Sequence, residues 1–447
     1  MRFIPNTGSI RREMLAEIGV SGFEELIAAI PESVRFRGDL DIPGPLAESE
    51  LAEKVSALAR RNGDFGVLKP LVGAGAYRHY VPRAVSALLS REEFYTAYTP
   101  YQPELSQGTL QAVFEYQSFL ARLTGMEAII PSIYDGASAA AEASLMALRL
   151  SKKNRILVSA ALHPHYRSAI ETYSAPHRTE VIEIPCRDGL TDKASLEELL
   201  GDGTAAVIVQ SPNFYGGIEP VAELAEAAGK RSVLFIQAVA EALSLALLRA
   251  PGKMGVDILA GEAQSLGLDL NFGGPYNGFL GAGKKHLRQL PGRIVGETVD
   301  RDGKRCFVMT ARAREQDIRR EKATSCICSN HGLNIIASAV YLSLLGTEGL
   351  YRTALLNTRG AHYLEEKLVE SGNFERVFGC PFFNEFVLRS QSPLDEVRRK
   401  LIAGGFIPPL GLGSYLGDEA LAGTALFAVT EILSRSDLDR AVDLLSK

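Results

Sequence analysis

Apolar positions along this chain follow two alternating rhythms. Short runs rich in Val, Ile and Ala recur at Arg155–Ala160, Val181–Ile184, Ala205–Gln210, Val233–Ile236 and Val256–Ala260. Between them lie segments whose apolar residues are three and four apart, at Tyr166–Tyr173, Leu196–Leu200 and Val221–Ala228. Strand-like runs alternating with short helical segments predict a mostly parallel sheet covered on both faces, an α/β fold. Upstream, Thr109–Leu123 places Val113, Tyr116, Leu120 and Leu123 on one helical face and closes at Gly125. The apolar pair Ile129-Ile130 follows. The turn Asp135-Gly136-Ala137-Ser138 then opens an alanine-rich helix ending near Leu150.

The two ends read differently. Ser9 is placed to cap a helix carrying Ile10, Met14, Leu15 and Ile18 that stops at Gly19; a second helix is expected from Ser21 to just before Pro31. Pro43 and Pro45 mark a linker, and Glu48–Arg61 is amphipathic. After Arg293 the strand–helix alternation stops. A stretch dense in charge runs from Arg312 and Arg314 to Lys322, followed by helices at His331–Leu345 and Gly349–Glu370. Strands near Phe374–Val377, Glu385–Leu388 and Ala425–Val429, with helices at Leu394–Ala403 and Asp437–Leu445, predict a small α+β unit. The division expected is a helical arm over residues 1–70, a large α/β domain over 71–310, and connecting helices with a small C-terminal domain over 311–447.

Composition narrows the function classes. A chain of 447 residues with 46% hydrophobic and 23% charged residues is an ordinary globular one, and its net charge of −5 argues against nucleic acid or an anionic membrane surface as partner. The most apolar stretch, Val233–Leu248, is interrupted by Gln237, Glu241 and Ser244 and reads as buried strand and helix. With no apolar leader at the N-terminus, the expected setting is cytoplasmic. The cysteines (186, 306, 326, 328 and 380) are odd in number and scattered, and the spacing of Cys326 and Cys328 suits neither zinc nor a redox pair, so reduced structural thiols are expected. No metal site, nucleophile elbow or dinucleotide loop is present.

Five places hold candidate chemistry. Gly255–Gly283 is a strand, a turn (Gln264-Ser265-Leu266) and a glycine-rich hairpin, suited to a flat ligand or to a tight β-corner. Phe94–Glu104 concentrates Tyr95, Tyr98 and Tyr101 beside Gln102; such rings either pack on their own domain or serve an interface or pocket. Gly136 and Ser138 open a helix, where they either cap it or offer amides to a phosphate. His163 follows a strand end, while Arg319, Arg320 and Lys322 form either a solvated face or a grip for anions.

Several of these stretches carry a family likeness. Phe94–Thr109 (Phe-Tyr-Thr-Ala-Tyr-Thr-Pro-Tyr-Gln-Pro-Glu-Leu-Ser-Gln-Gly-Thr), Tyr134-Asp-Gly-Ala-Ser138, Gly267-Leu-Asp-Leu-Asn-Phe-Gly-Gly-Pro-Tyr276, Pro291–Asp300 and Arg319–Ser325 closely resemble the glycine decarboxylase P-protein over essentially the whole chain. At this length the likeness is to the α chain of the two-chain bacterial form. It implies a fold-type-I, aspartate-aminotransferase-like scaffold for pyridoxal 5′-phosphate (PLP), with a large sheet of the seven-stranded type and a smaller C-terminal domain. It implies a related β subunit, assembled as α2β2, that carries the PLP. It further implies glycine as substrate and the lipoyl arm (lipoamide) of an H-protein as acceptor of the aminomethyl group. Within this likeness Ser265 stands where the Schiff-base lysine is expected, so this chain should hold no PLP covalently. Glu241 stands where an aspartate faces the pyridine nitrogen, although the surrounding Ala238–Ala242 departs from the family's usual Asp-Pro. His163 falls at a ring-stacking position, and Gly136 and Ser138 at a vestigial phosphate site. Tyr95, Tyr98 and Tyr101 are expected to complete the β subunit's pocket. The alternatives are a pure scaffold subunit, or a self-sufficient PLP enzyme of the aminotransferase or desulfurase kind using Lys284 or Lys285.

Overall fold

The computed structural model describes residues 6–63, 67–95, 97–310, 315–325, 327 and 331–446. Thr96, Arg312, Arg314, Cys326 and Cys328 therefore lie outside the described residues. The chain divides into two compact units, Met1–Asp64 and Phe65–Lys447.

In the first unit, α1 (Gly8–Ile18) begins after Thr7, so Ser9 lies inside the helix rather than at its cap; Gly19 ends it in a left-handed conformation, as its position anticipated. The second helix is a single turn, Phe23–Leu26, shorter than expected. Beyond it the Arg35 guanidinium binds the Ile27 and Ile30 carbonyl oxygens, at 2.8 Å for Ile30 and 2.6 Å for Ile27, ahead of Pro31. The amphipathic stretch forms α2 (Glu48–Ala59).

The second unit is built on a sheet whose strands are β1 (Ala128–Ile133), β2 (Arg155–Ser159), β3 (Glu180–Ile184), β4 (Thr204–Gln210), β5 (Leu234–Val239), β6 (Ile258–Glu262) and β7 (Gly278–Ala282). Among the described residues it has seven strands in the order β1-β7-β6-β5-β4-β2-β3. The inner strands pair in parallel, and only β7, delivered by the glycine-rich hairpin, runs antiparallel to both neighbours. Side chains alternate as a pleat requires. Leu157, Val207, Val209 and Phe235 enter one core with α3 (Gln107–Thr124), while Ile156, Val158, Ala206, Ile208 and Ile236 enter the other with α4 (Gly136–Ser151) and α5 (Pro164–Ser174). The alanines at 139, 140, 141, 143 and 147 are buried, so α4 lies close against the sheet.

The pattern after Arg293 hid a hairpin, Ile294–Val299 paired with Arg305–Thr310. Its turn is closed by Asp300 Oδ1, which accepts from the Asp302 and Lys304 amides at 2.9 and 2.8 Å. The two helices expected next both form and meet at Gly346, whose backbone is not helical (φ 59°, ψ −171°); together they are α6 (Gly332–Glu370). By length and composition α6 passes as a membrane span, yet it buries Ile335, Ile336, Tyr341 and Leu342 in the protein core. The small domain forms a four-stranded sheet, Phe374–Arg376, Glu385–Ser390, Thr424–Ala428 and Leu410–Gly411 in that order, backed by Leu394–Ala403 and Arg435–Ser446. Lys69 and Pro70 pair with Phe406 and Ile407, which starts the following segment from the small domain. The described cysteines, 186, 306 and 380, are free thiols.

Candidate functional site

From that pairing the chain runs as a strap, residues 71–80, across to the large domain. Small residues at 73–76 let it pass close to other groups, and polar side chains fix it at both ends. On the small-domain side Glu385 accepts from the Ala74 amide (2.6 Å) and the Tyr77 hydroxyl (2.7 Å), and Glu431 accepts from the Tyr80 amide (2.7 Å). On the large-domain side Gln264 both accepts from the Tyr77 amide (3.0 Å) and donates to its carbonyl (2.9 Å). His79 lies between two carboxylates, with Nε2 at 3.0 Å from Glu241 and Nδ1 at 2.8 Å from Glu431. Burial disfavours a charge on His79, but Glu241 and Glu431 outweigh it and raise the pKa to about 10, so the ring is an imidazolium donating from both nitrogens.

A second cluster sits where α4 begins. Asp135 caps the helix by accepting from the Ser138 amide at 2.7 Å. The Gly136 amide donates to Glu262 Oε2 at 2.9 Å, while Glu262 Oε1 accepts from the Gln264 and Asn277 amides at 3.0 and 3.1 Å. A side chain at 136 would overlap the Tyr166 hydroxyl. Burial pushes the Glu262 carboxyl up to about 7, against the amides that favour its ionised form. The His163 ring donates from Nε2 to Ala74 O at 2.9 Å and accepts at Nδ1 from the His165 amide at 3.1 Å, which fixes a neutral tautomer; burial lowers its pKa to about 4. Ser265 is buried, and its Oγ has no hydrogen-bond partner among the described residues.

The third feature is open. A cavity of about 660 Å³ is lined by Tyr95, Tyr98, Tyr134, Arg293, His331 and Asn334 among others. Asn334 ties its floor to the glycine hairpin by donating to the Pro275 and Tyr276 carbonyls at 3.2 and 3.0 Å. Tyr95 and Tyr98 are 65% and 83% exposed at its edge. Tyr101 is turned aside: Arg293 stacks over its ring at 4.7 Å, donates to its hydroxyl at 2.9 Å and pairs with buried Glu315 at 2.9 Å. Gln102 is exposed beside it. Arg320 lines a neighbouring cavity of about 400 Å³ that also meets Tyr101; Arg319 and Lys322 are exposed. Lys284 and Lys285 are exposed past β7, with the Lys285 ammonium 3.4 Å from Asp257.

The profile of the glycine cleavage system P-protein matches residues 1–445. The chain belongs to the glycine cleavage system P-protein family. It is 47% identical over 442 residues to the probable glycine dehydrogenase (decarboxylating) subunit 1 of Moorella thermoacetica, covering 99% of this chain and 98% of that one. The corresponding protein of Carboxydothermus hydrogenoformans is 44% identical over 445 residues, with 100% and 99% covered. A crystal structure of glycine decarboxylase (P-protein) of the glycine cleavage system, in inhibitor-bound form, superposes with a TM-score of 0.88 at 42% identity, over 100% of this chain and 99% of that one. Glutamate decarboxylase of Lactobacillus brevis (TM-score 0.70, 13% identity, 94% and 96% covered) shares the fold alone. The scaffold is that of fold-type-I PLP-dependent enzymes, as the motifs implied.

This P-protein chain does not offer that cofactor a fitting set of groups. A serine hydroxyl forms no imine. The Gly136 amide already serves Glu262, Ser138 N already serves Asp135, and Glu241 already faces His79. The sequence singles out Gly136, His163, Glu241 and Ser265 but does not show which residues surround them. Tyr77 and His79 stand in a stretch visibly rich in small residues and polar aromatics; nothing local marked Glu262, Glu385 or Glu431.

Proposed function

We propose that this chain is the lysine-less α subunit of a two-chain glycine decarboxylase, acting in α2β2 with a β subunit that carries the PLP. On this reading the complex decarboxylates glycine and passes the aminomethyl group to the lipoyl arm of the H-protein, in a cytoplasmic setting. The cofactor, on the β subunit, supplies the electron sink for decarboxylation. The observation that carries the proposal is the open cavity edged by exposed tyrosines in a chain with serine at the lysine position. Tyr95 and Tyr98 are largely exposed at the cavity's edge, and on this reading they line the β subunit's pocket and donate hydrogen bonds to a carboxylate leaving as carbon dioxide. Arg293, which lines the same cavity, holds Tyr101 beside the neighbouring one, and on this reading Tyr101 contributes to the tyrosine loop from there. The exposure of Lys284 and Lys285 speaks against either as a Schiff-base residue of a self-sufficient enzyme.

In the reconstituted complex, Tyr95→Phe and Tyr98→Phe are expected to lower glycine–bicarbonate exchange by about tenfold or more, equivalent to about 1.4 kcal/mol of lost stabilisation. Size-exclusion chromatography should show assembly unchanged. Unaltered exchange in an intact assembly would leave this chain a scaffold only.

A further inference from the structure

Gly136, His163 and Glu241, three of the positions that the family likeness assigns to a cofactor, are tied in this chain to one strap-centred set of hydrogen bonds, with Ser265 beside it. Glu262 links the Gly136 amide to the Gln264 amide, next to Ser265. Gln264 then grips Tyr77, and the strap carries Ala74 to His163 and His79 to Glu241.

We infer that the strap and Glu262 are a built-in occupant of the PLP place, so that this subunit takes up neither PLP nor free phosphate. Each recognisable part of such a cofactor has an internal counterpart. A phosphate would sit as an anion on amides at a helix N-terminus; here the Glu262 carboxyl group takes the Gly136 amide of that terminus, together with the Gln264 and Asn277 amides of the adjoining hairpin. A flat ring would lie against His163; here the Ala74–Gly75 backbone crowds the Nε2 edge of that imidazole, bonded through Ala74 O and so close that a Cβ on Gly75 would come within 2.9 Å of it. A protonated pyridine nitrogen would face a carboxylate; the His79 imidazolium faces Glu241 at 3.0 Å. The strap is also held from the far side, by Glu385 and Glu431 of the small domain. Displacing it means breaking buried bonds to both domains together.

This inference rests on the proposed division of labour between the chains, but its test is separate. In the assembled complex, borohydride reduction followed by mass spectrometry of each chain should place a pyridoxyl group on the β subunit only, with one PLP for each pair of unlike chains. The full-length α chain titrated with PLP, and separately with inorganic phosphate, should show no shift in its thermal midpoint. Glu262→Ala frees the amides of Gly136, Gln264 and Asn277, so its midpoint should climb with added inorganic phosphate, as ligand linkage requires. A second PLP per pair, stabilisation of the wild-type chain by PLP or phosphate, or a folded Glu262→Ala chain indifferent to phosphate would each overturn the inference. Should Glu262→Ala fail to fold, the cofactor count and the wild-type titrations still decide it. Exchange activity responds to the tyrosine wall and the cofactor count to the strap, so the two readings fail on different measurements.

Discussion

His79 is a buried residue on which two carboxylates converge. It is a fully desolvated cation whose stability comes from Glu241 and Glu431, and removing it leaves two carboxylates without a counter-charge. His79→Gln is expected to cost about 3–5 kcal/mol near neutral pH, the range for breaking a buried ion pair, as read by urea unfolding. The pH dependence has a definite sign. Because the folded-state pKa is raised from 6.5 to about 10, the contribution is complete below about 6.5 and is lost as the pH rises through 10. The gap between wild type and His79→Gln should therefore narrow on the alkaline side; a gap that stays constant would rule out an ionic origin. Glu385, pushed by burial up to about 7, has the same sign at lower pH, its contribution complete below about 4.5 and fading through 7. Little of this was legible. Ser265 and Glu241 stood out through the family likeness, but Glu385 and Glu431 lie 308 and 352 residues from Tyr77 and His79, and no spacing rule reaches that far.

At the scale of elements, legibility followed burial. Strands buried on both faces, such as β4, and helices with one apolar face, such as α3, declared themselves because their period is what the core demands. The hairpin 294–310 escaped because its outer half is exposed and polar, although its Asp302-Gly303 turn was in plain view. The single turn at Phe23–Leu26 shows the reverse error: a periodic pattern that stops early, with an arginine from farther along the chain on the carbonyls beyond it. Close approach at the start of α4 gives a test at this scale. Gly136→Ala should destabilise the chain by about 1–3 kcal/mol through overpacking against Tyr166. Adding Tyr166→Phe, which removes the obstructing hydroxyl, should recover part of that loss in a double-mutant cycle. No recovery would mean that the helix start, rather than the hydroxyl, sets the limit.

For the molecule as a whole, the likeness read from the motifs and the fold agree, while the way the two domains are tied was invisible until Tyr77 met Glu385 and His79 met Glu431. With both ties in place, the domains of the larger unit are expected to unfold in a single calorimetric transition. Tyr77→Phe with His79→Gln should broaden or split it, and a transition that stays sharp would show that packing alone couples them. Gly346 gives the longest helix a joint, and the strap is a second fastening across the same gap. A body held at a joint and at a fastening has little swing left. Under the proposed division of labour, the face bearing Tyr95 and Tyr98 keeps one shape from turnover to turnover, and whatever motion admits glycine or the lipoyl arm has to come from the other chain.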